Sequence, residues 1–215
     1  MQVLRNMIIS AILLGLFAIL GTGLVALTFK HTKDRIAENE RITIINSLHA
    51  LIAPAEHDND MYEDVIMVTD ETMLGTSDTV NVYRARLKGQ AVAAIIGSAA
   101  PDGYAGRIKL LVAVRHNGTL AGVRVVNHRE TPGLGDGVEL ERSDWILGFN
   151  GKSLSNPDAK AWKVKRDGGI FDQLTGATIT PRVIVKAVHK TLQYYGKHRD
   201  RLFKQAATQQ QREGL

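Results

Sequence analysis

Apolar and polar positions follow three rhythms along this chain, and each predicts a different element. Met7 to Phe29 is a run of 23 residues with no formal charge, bounded by Arg5 and Lys30; as a helix it reaches about 34 Å, enough to cross the hydrocarbon core of a bilayer. From Lys30 to Ile52 the period becomes that of a one-faced helix, with Ile44, Ile45, Leu48, Leu51 and Ile52 in one stripe before Pro54 ends it. Ala55 to Asp60 is a polar connection. The rhythm then shortens to that of strands: Thr79–Leu87 and Ala91–Ile96 joined through Lys88-Gly89-Gln90, then Arg107–Arg115 and Leu120–Val126 joined across Asn117-Gly118, a strong hairpin signal. Helical spacing returns with Ile184, Ala187, Val188, Thr191, Leu192 and Tyr195, behind Thr180 as N-cap and Pro181 as first helical residue. Helices at both ends and strands between them predict an α+β fold: an N-terminal transmembrane helix followed by one domain with a largely antiparallel sheet and flanking helices.

Composition narrows the chemistry. At 215 residues and 44% hydrophobic content the chain has room for one membrane segment and one core of ordinary domain size. It has no cysteine, which excludes disulfides, thiolate-ligated iron–sulfur clusters and zinc-thiolate sites, so redox chemistry here requires an organic cofactor or a partner. The seven histidines lack paired metal spacing, and no metal is expected. Gly151-Lys152-Ser153 ends like a phosphate-binding loop, but Ile146 stands where that loop requires glycine. The net charge of +5 is diffuse, and Lys197, Arg199, Arg201 and Lys204 suit the C-terminal end of a helix; no nucleic-acid partner is expected. Trp145 and Trp162 read either as shields for a flat ligand or as buried anchors. Gln209 to Leu215 reads as a frayed tail.

The most specific segment is Asp172-Gln173-Leu174-Thr175-Gly176-Ala177-Thr178, of pattern D-x-x-[ST]-G-A-T. Average residue usage makes a chance match in a chain of this length roughly a one-in-several-thousand event. Gly176 and Ala177 leave little bulk around the hydroxyl of Thr178, and the helix that follows offers a positive end to a phosphate there. A tight turn entering an ordinary helix is the structural alternative. Upstream, Glu130-Thr131-Pro132-Gly133-Leu134-Gly135 forms a tight loop able to bring backbone N–H groups and the small apolar Leu134 close to a flat ligand.

Together, E-T-P-G-L-G and D-x-x-T-G-A-T resemble the FMN-binding domain shared by the G subunit of the Rnf (or Rsx) electron transport complex and the C subunit of the sodium-pumping NADH:quinone reductase. The similarity to the Rnf G subunit extends over nearly the whole chain, including the membrane anchor and Trp162 to Asp172; Thr175 replaces the serine of many relatives and keeps the hydroxyl. The resemblance implies one FMN per chain, attached covalently through its phosphate to Thr178. Leu174, Thr175, Gly176 and Ala177 would surround the attachment, and Glu130, Thr131, Pro132, Gly133, Leu134 and Gly135 would lie at the ring. It further implies an electron carrier without catalytic residues of its own, acting as one component of an ion-translocating oxidoreductase. The implied partners are the other Rnf subunits, an FAD-dependent flavin transferase and membrane lipid. The corresponding divisions are a cytoplasmic segment 1–6, an anchor 7–29, a helix and linker 30–60, the FMN-binding domain 61–200 and a basic, Gln-rich tail 201–215.

Orientation divides the two lines of reasoning. Lys30, Lys33, Arg35 and Arg41 follow the span and only Arg5 and the amino terminus precede it, so the positive-inside count places the large domain in the cytoplasm. The family resemblance places it in the periplasm, on a single-pass anchor in the bacterial inner membrane; long domains translocate despite local charge, and Asp34, Glu38 and Glu40 offset those cations. The expectation adopted is periplasmic. Two other readings stay open at this point: the C subunit of the quinone reductase, and a membrane-anchored binding or assembly module without redox function.

Overall fold

The computed structural model describes residues 1–204 and divides into two compact units, Met1–Asn46 and the chain from Ser47 onward. The apolar run and the helical stripe after it form one continuous helix, α1 (Gln2–Leu51). No proline or glycine pair interrupts residues 30–51, so the backbone ladder continues where the pattern alone suggested two elements. The portion Gln2–Lys33 is long and apolar enough to cross a membrane.

In the second unit, five strands form an antiparallel meander in the order β1 (Val65–Val68), β2 (Val80–Leu87), β3 (Gln90–Ala100), β4 (Ile108–Arg115) and β5 (Leu120–Asn127). A short helix, α2 (Glu71–Leu74), links β1 to β2, and α3 (Ile179–Lys204) closes the described chain. Both expected hairpins form. β3 runs four residues past Ile96, because Gly97 to Ala100 pair in register with Leu111 to Ile108, and β1 was not foreseen. Arg201 to Lys204 belong to α3; Gln209 to Leu215 lie outside the described residues.

The alternation of side chains gives the sheet two apolar faces. Ile66, Val82, Ala94, Ile96, Leu110, Val112 and Val123 share a core with Ile184, Val185, Val188, Leu192 and Tyr195 of α3, which lies across β3 and β4. Val65, Tyr83, Ala93, Ile95, Leu111 and Ala113 alternate with these and are also buried, as are Leu48, Leu51 and Ile52 at the end of α1. Gly122 on β5 admits Leu51: a Cβ there would stand 3.0 Å from its Cδ2. Arg124 of the same strand donates to the Ala50 carbonyl at 3.2 Å, satisfying one of the free acceptors of the helix end.

The far end of α3 is tied to the sheet by charge. Arg84 on β2, 1% exposed, donates to the Leu202 carbonyl at 3.0 Å, and Arg86 donates to the Phe203 carbonyl at 3.0 Å. Asp64 accepts from both guanidinium groups. Cations belong at a helix C-terminus, and the shared carboxylate offsets part of the cost of burying Arg84.

Between β5 and α3 the chain has only short 3-10 turns, at Gly135–Val138, Asp144–Phe149, Ala159–Ala161 and Lys165–Asp167. An aromatic cluster holds this stretch to the core: Phe149 lies 4.6 Å from Phe171 between centroids, and Trp162 lies 5.3 Å from Phe171. His189 of α3 stacks on Trp162 at 5.0 Å and 13°. Burial lowers the pKa of His189 below its ordinary 6.5, since the charged ring loses hydration there. The unfolded chain therefore takes up this proton at higher pH than the folded one. The stability contributed by neutral His189 is complete above about pH 6.5 and is lost as pH falls toward the lower folded-state value. Thermal melts from pH 8 to pH 5 are expected to show a decline that His189→Gln flattens; parallel pH profiles would contradict the assignment.

Candidate functional site

Two turns from distant parts of the sequence meet beside the N-terminus of α3. In the first, the N–H groups of Leu134 and Gly135 both donate to the Thr131 carbonyl, at 3.1 and 3.0 Å, closing the 130–135 loop on itself. Gly133 takes a positive φ of 77°, a conformation that costs other residues about 1 kcal/mol or more. In the second, Ala177 N–H donates to the Leu174 carbonyl at 3.2 Å, and Gly176 has a φ of 78°. A Cβ on Gly176 would lie 2.7 Å from Leu134 Cδ2, so the two turns touch at that point.

The approach to the second turn is also fixed. Asp172 forms an ion pair with Lys165, and the Trp145 indole donates to the Asp172 carbonyl at 2.8 Å. Arg182 on α3 makes a two-pronged bond to Asp167, at 2.6 Å for each nitrogen. These contacts seat the chain leading into Leu174 against the helix that follows it.

Between the turns lies a cleft of about 470 Å³ lined by Tyr104, Glu130, Thr131, Leu134, Gly135, Gly176, Ala177, Thr178, Ile179 and Thr180. Its volume falls within the usual range for small-molecule sites. Seven of the expected residues meet there: Glu130, Thr131, Leu134, Gly135, Gly176, Ala177 and Thr178. Four do not line it. Pro132 and Gly133 form the outer bend of the first turn, Thr175 is exposed on the second, and Leu174 points beneath it toward Gly137. Trp145 and Trp162 belong to the aromatic cluster and do not line the cleft; the anchor reading describes them.

The helix begins two residues earlier than the spacing suggested. α3 starts at Ile179, so Thr178 occupies the N-cap position, while Thr180 and Pro181 lie in the first turn. Proline is tolerated there because first-turn N–H groups have no intrahelical acceptor. Thr180 is 1% exposed and its hydroxyl donates to Glu130, so it does not cap the helix. Thr178 is half-buried, and its hydroxyl makes no hydrogen bond among the described residues. It stands where the unpaired N–H groups and positive end of a 26-residue helix favour an anion.

Tyr104 is the main lining residue the sequence reading missed. It is 70% exposed on the turn between β3 and β4, and an aromatic residue flanked by Gly103 and Gly106 was the available signal. Tyr104, Leu134 and Ile179, all exposed, give the cleft an apolar mouth. Thr131, Thr178 and free backbone donors are polar. That combination suits a planar aromatic group bearing a phosphate. Among the described lining residues there is no lysine or arginine.

Residues 103–193 match the family model for the FMN-binding domain, and residues 1–51 match that for the RnfG N-terminal region. The G subunit of the ion-translocating oxidoreductase complex of Pseudomonas aeruginosa UCBPP-PA14 is 50% identical over 198 residues, covering 92% of each chain. The G subunits of the same complex from Pseudoalteromonas atlantica and Shewanella loihica are each 45% identical, the first covering 90% of both chains and the second 94% of this chain and 96% of its own. Among solved structures, the C subunit of the Na(+)-translocating NADH-quinone reductase from Parabacteroides distasonis superposes with a TM-score of 0.52 at 20% identity, over 82% of this chain and 95% of that one. The last likeness establishes a shared fold.

The glycines of the first turn make separable demands. Gly133 has open space around its missing Cβ and only a backbone requirement, whereas a Cβ on Gly135 would lie 2.7 Å from Glu130 Cβ and 2.9 Å from its Oε2. Gly133→Ala is expected to cost about 1 kcal/mol from the left-handed backbone, and Gly135→Ala about 1–3 kcal/mol from overpacking. Only the latter should disturb the cleft. Chemical denaturation of the detergent-solubilised variants measures the costs, and proteolysis at residues 103–106 reports the disturbance. Equal behaviour of the two variants would remove the contact with Glu130 as the constraint.

Proposed function

The chain belongs to the family of G subunits of the ion-translocating oxidoreductase complex, and from that premise we propose that it relays electrons within such a complex through one FMN joined by a phosphoester to Thr178. The observation that carries the attachment point is the Thr178 hydroxyl itself. It is accessible, free of hydrogen bonds among the described residues, and placed at the start of α3 beside a turn narrowed to Gly176 and Ala177. The competing hydroxyls are less suited: Thr180 is buried and engaged with Glu130, and Thr175 lies outside the cleft.

Bound FMN supplies one- and two-electron redox chemistry, and the protein supplies position and surroundings. Ile179 and Leu134 offer apolar surface to the ring, the Thr131 side chain offers a polar group, and the first turn of α3 faces the phosphate. Tyr104 stands exposed at the rim of the cleft. Membership of the G-subunit family favours this assignment over the C subunit of the quinone reductase, whose likeness is one of fold. The proposed partners are the remaining subunits of the complex, the surrounding lipid, and an FAD-dependent transferase that recognises the segment from Asp172 to Thr178.

The proposed placement is an uncleaved single-pass anchor in the inner membrane with the FMN-binding domain in the periplasm. Retention matters there, since a released cofactor would be lost to the cell.

Thr178→Ala is expected to abolish covalent flavin and leave the fold nearly intact. Intact mass should lose the increment of one FMN, and in-gel flavin fluorescence should vanish. A flavin-labelled peptide that persists in the variant would move the site to Thr175 or Thr180. A colourless wild-type chain after coexpression with the transferase would instead support a binding or assembly module without redox function. For placement, a C-terminal reporter active only in the periplasm is expected to work, with residues 1–29 kept in the mature protein. Activity from a cytoplasmic reporter alone would vindicate the charge count.

A further inference from the structure

We infer that Glu130 is a positioning residue, the buried joint that holds the three walls of the cleft together, and not a group that touches the cofactor. The inference rests on the flavin reading above. Glu130 is 4% exposed, and both of its carboxylate oxygens accept from the protein: Oε1 from the Ala105 N–H at 3.0 Å, and Oε2 from the Thr180 hydroxyl. Its own N–H donates to His128 Nδ1 at 3.0 Å. That bond requires an unprotonated Nδ1 and leaves the proton on Nε2, which donates to Glu139 at 2.8 Å.

The surroundings leave no slack. A Cβ on Gly103 would meet Glu130 Oε1 at 3.0 Å, and one on Gly135 would meet its Cβ at 2.7 Å. One side chain thus fixes the turn that carries Tyr104, the loop that carries Thr131 and Leu134, and the first turn of α3 beside Thr178. Among the described residues Glu130 has no ion-pair partner. A buried acid without a cation is costly unless its acceptors are filled, and here two neutral donors and the positive end of α3 fill that role. Without the carboxyl group, the Ala105 N–H and the Thr180 hydroxyl lose their common acceptor and the walls become independent.

The test uses the full chain coexpressed with the flavin transferase, as wild type, Glu130→Gln, Glu130→Ala, Thr180→Val and Thr180→Ser. Each is prepared with Thr178 intact and again on a Thr178→Ala background, which reports the joint without flavin. Glutamine preserves the shape, because Ala105 can still donate to its oxygen while the Thr180 hydroxyl turns to accept from its amide. Glu130→Gln is therefore expected to load flavin as wild type does. Its midpoint potential should rise, because a negative charge that disfavours the reduced cofactor is gone. Glu130→Ala and Thr180→Val are expected to alter the flavin spectrum and to speed hydrogen exchange in residues 103–106 and 130–135 by tenfold or more on both backgrounds, with Thr180→Ser restoring wild-type values. Wild-type exchange and spectra in Glu130→Ala and Thr180→Val would overturn the inference. So would a Glu130→Gln spectrum as altered as that of Glu130→Ala with exchange unchanged, the signature of direct contact with the ring. Should wild type itself carry no flavin, the functional reading fails, while the exchange rates on the Thr178→Ala background still decide whether the joint exists.

Discussion

Helix α3 is pinned at both ends by buried polar contacts, and the site depends on that constraint. At one end the Thr180 hydroxyl is held by Glu130; at the other Arg84 and Arg86 grip the Leu202 and Phe203 carbonyls. A helix of this length reaches about 39 Å, so a slide or roll at the C-terminal end would be carried through the rigid rod to Thr178. Apolar packing alone resists such motion weakly, because Ile184, Val188 and Leu192 meet a sheet face built largely of interchangeable aliphatic surface. Directional bonds at the ends supply the register that packing leaves loose.

The cleft itself is shaped by what is missing from its glycines. Gly133 and Gly176 answer a demand of backbone conformation, while Gly135 answers one of space beside the buried Glu130 side chain and Gly103 one of space against the Gly106 carbonyl. These demands look identical in sequence, where E-T-P-G-L-G reads simply as a tight loop. In the folded chain the loop is closed by its own hydrogen bonds, touched by the second turn at Leu134 and Gly176, and braced from beneath by Glu130. A rigid receptacle of this kind suits an electron carrier, whose surroundings must change little as the cofactor changes charge.

Local signals were legible before the structure. The apolar span, the two hairpins and the amphipathic face of α3 follow from periodicity, and the motif residues from Glu130 to Gly135 and Gly176 to Thr178 fall largely around one cleft. What escaped depends on partners remote in sequence. The start of α3 was misplaced because Thr180 followed by proline imitates a capping pair, whereas its hydroxyl is claimed by an acid 50 residues away. β1 is four residues long, and among the described residues it pairs with β2 alone, so it offers too few positions for a period to register. The grip of Arg84 on Leu202 spans 118 residues, and no composition rule distinguishes that arginine from a solvated one.

The absence of a cation from the described lining explains why the proposed attachment is a covalent one. Sites that retain a phosphate reversibly commonly surround it with lysine or arginine, whose charge-assisted hydrogen bonds are the strong ones. Here the phosphate would meet one helix terminus, worth typically 0.3–1 kcal/mol and up to about 2 in favourable geometries, and the acid among the described lining residues, Glu130, is turned inward to its own donors. The mouth is open enough to expose Tyr104 and Leu134, so neither charge nor enclosure would hold a dissociable FMN for long. A phosphoester at Thr178 makes retention independent of affinity. Under the proposed relay, the cleft is then free to remain shallow, with an apolar mouth open to redox partners.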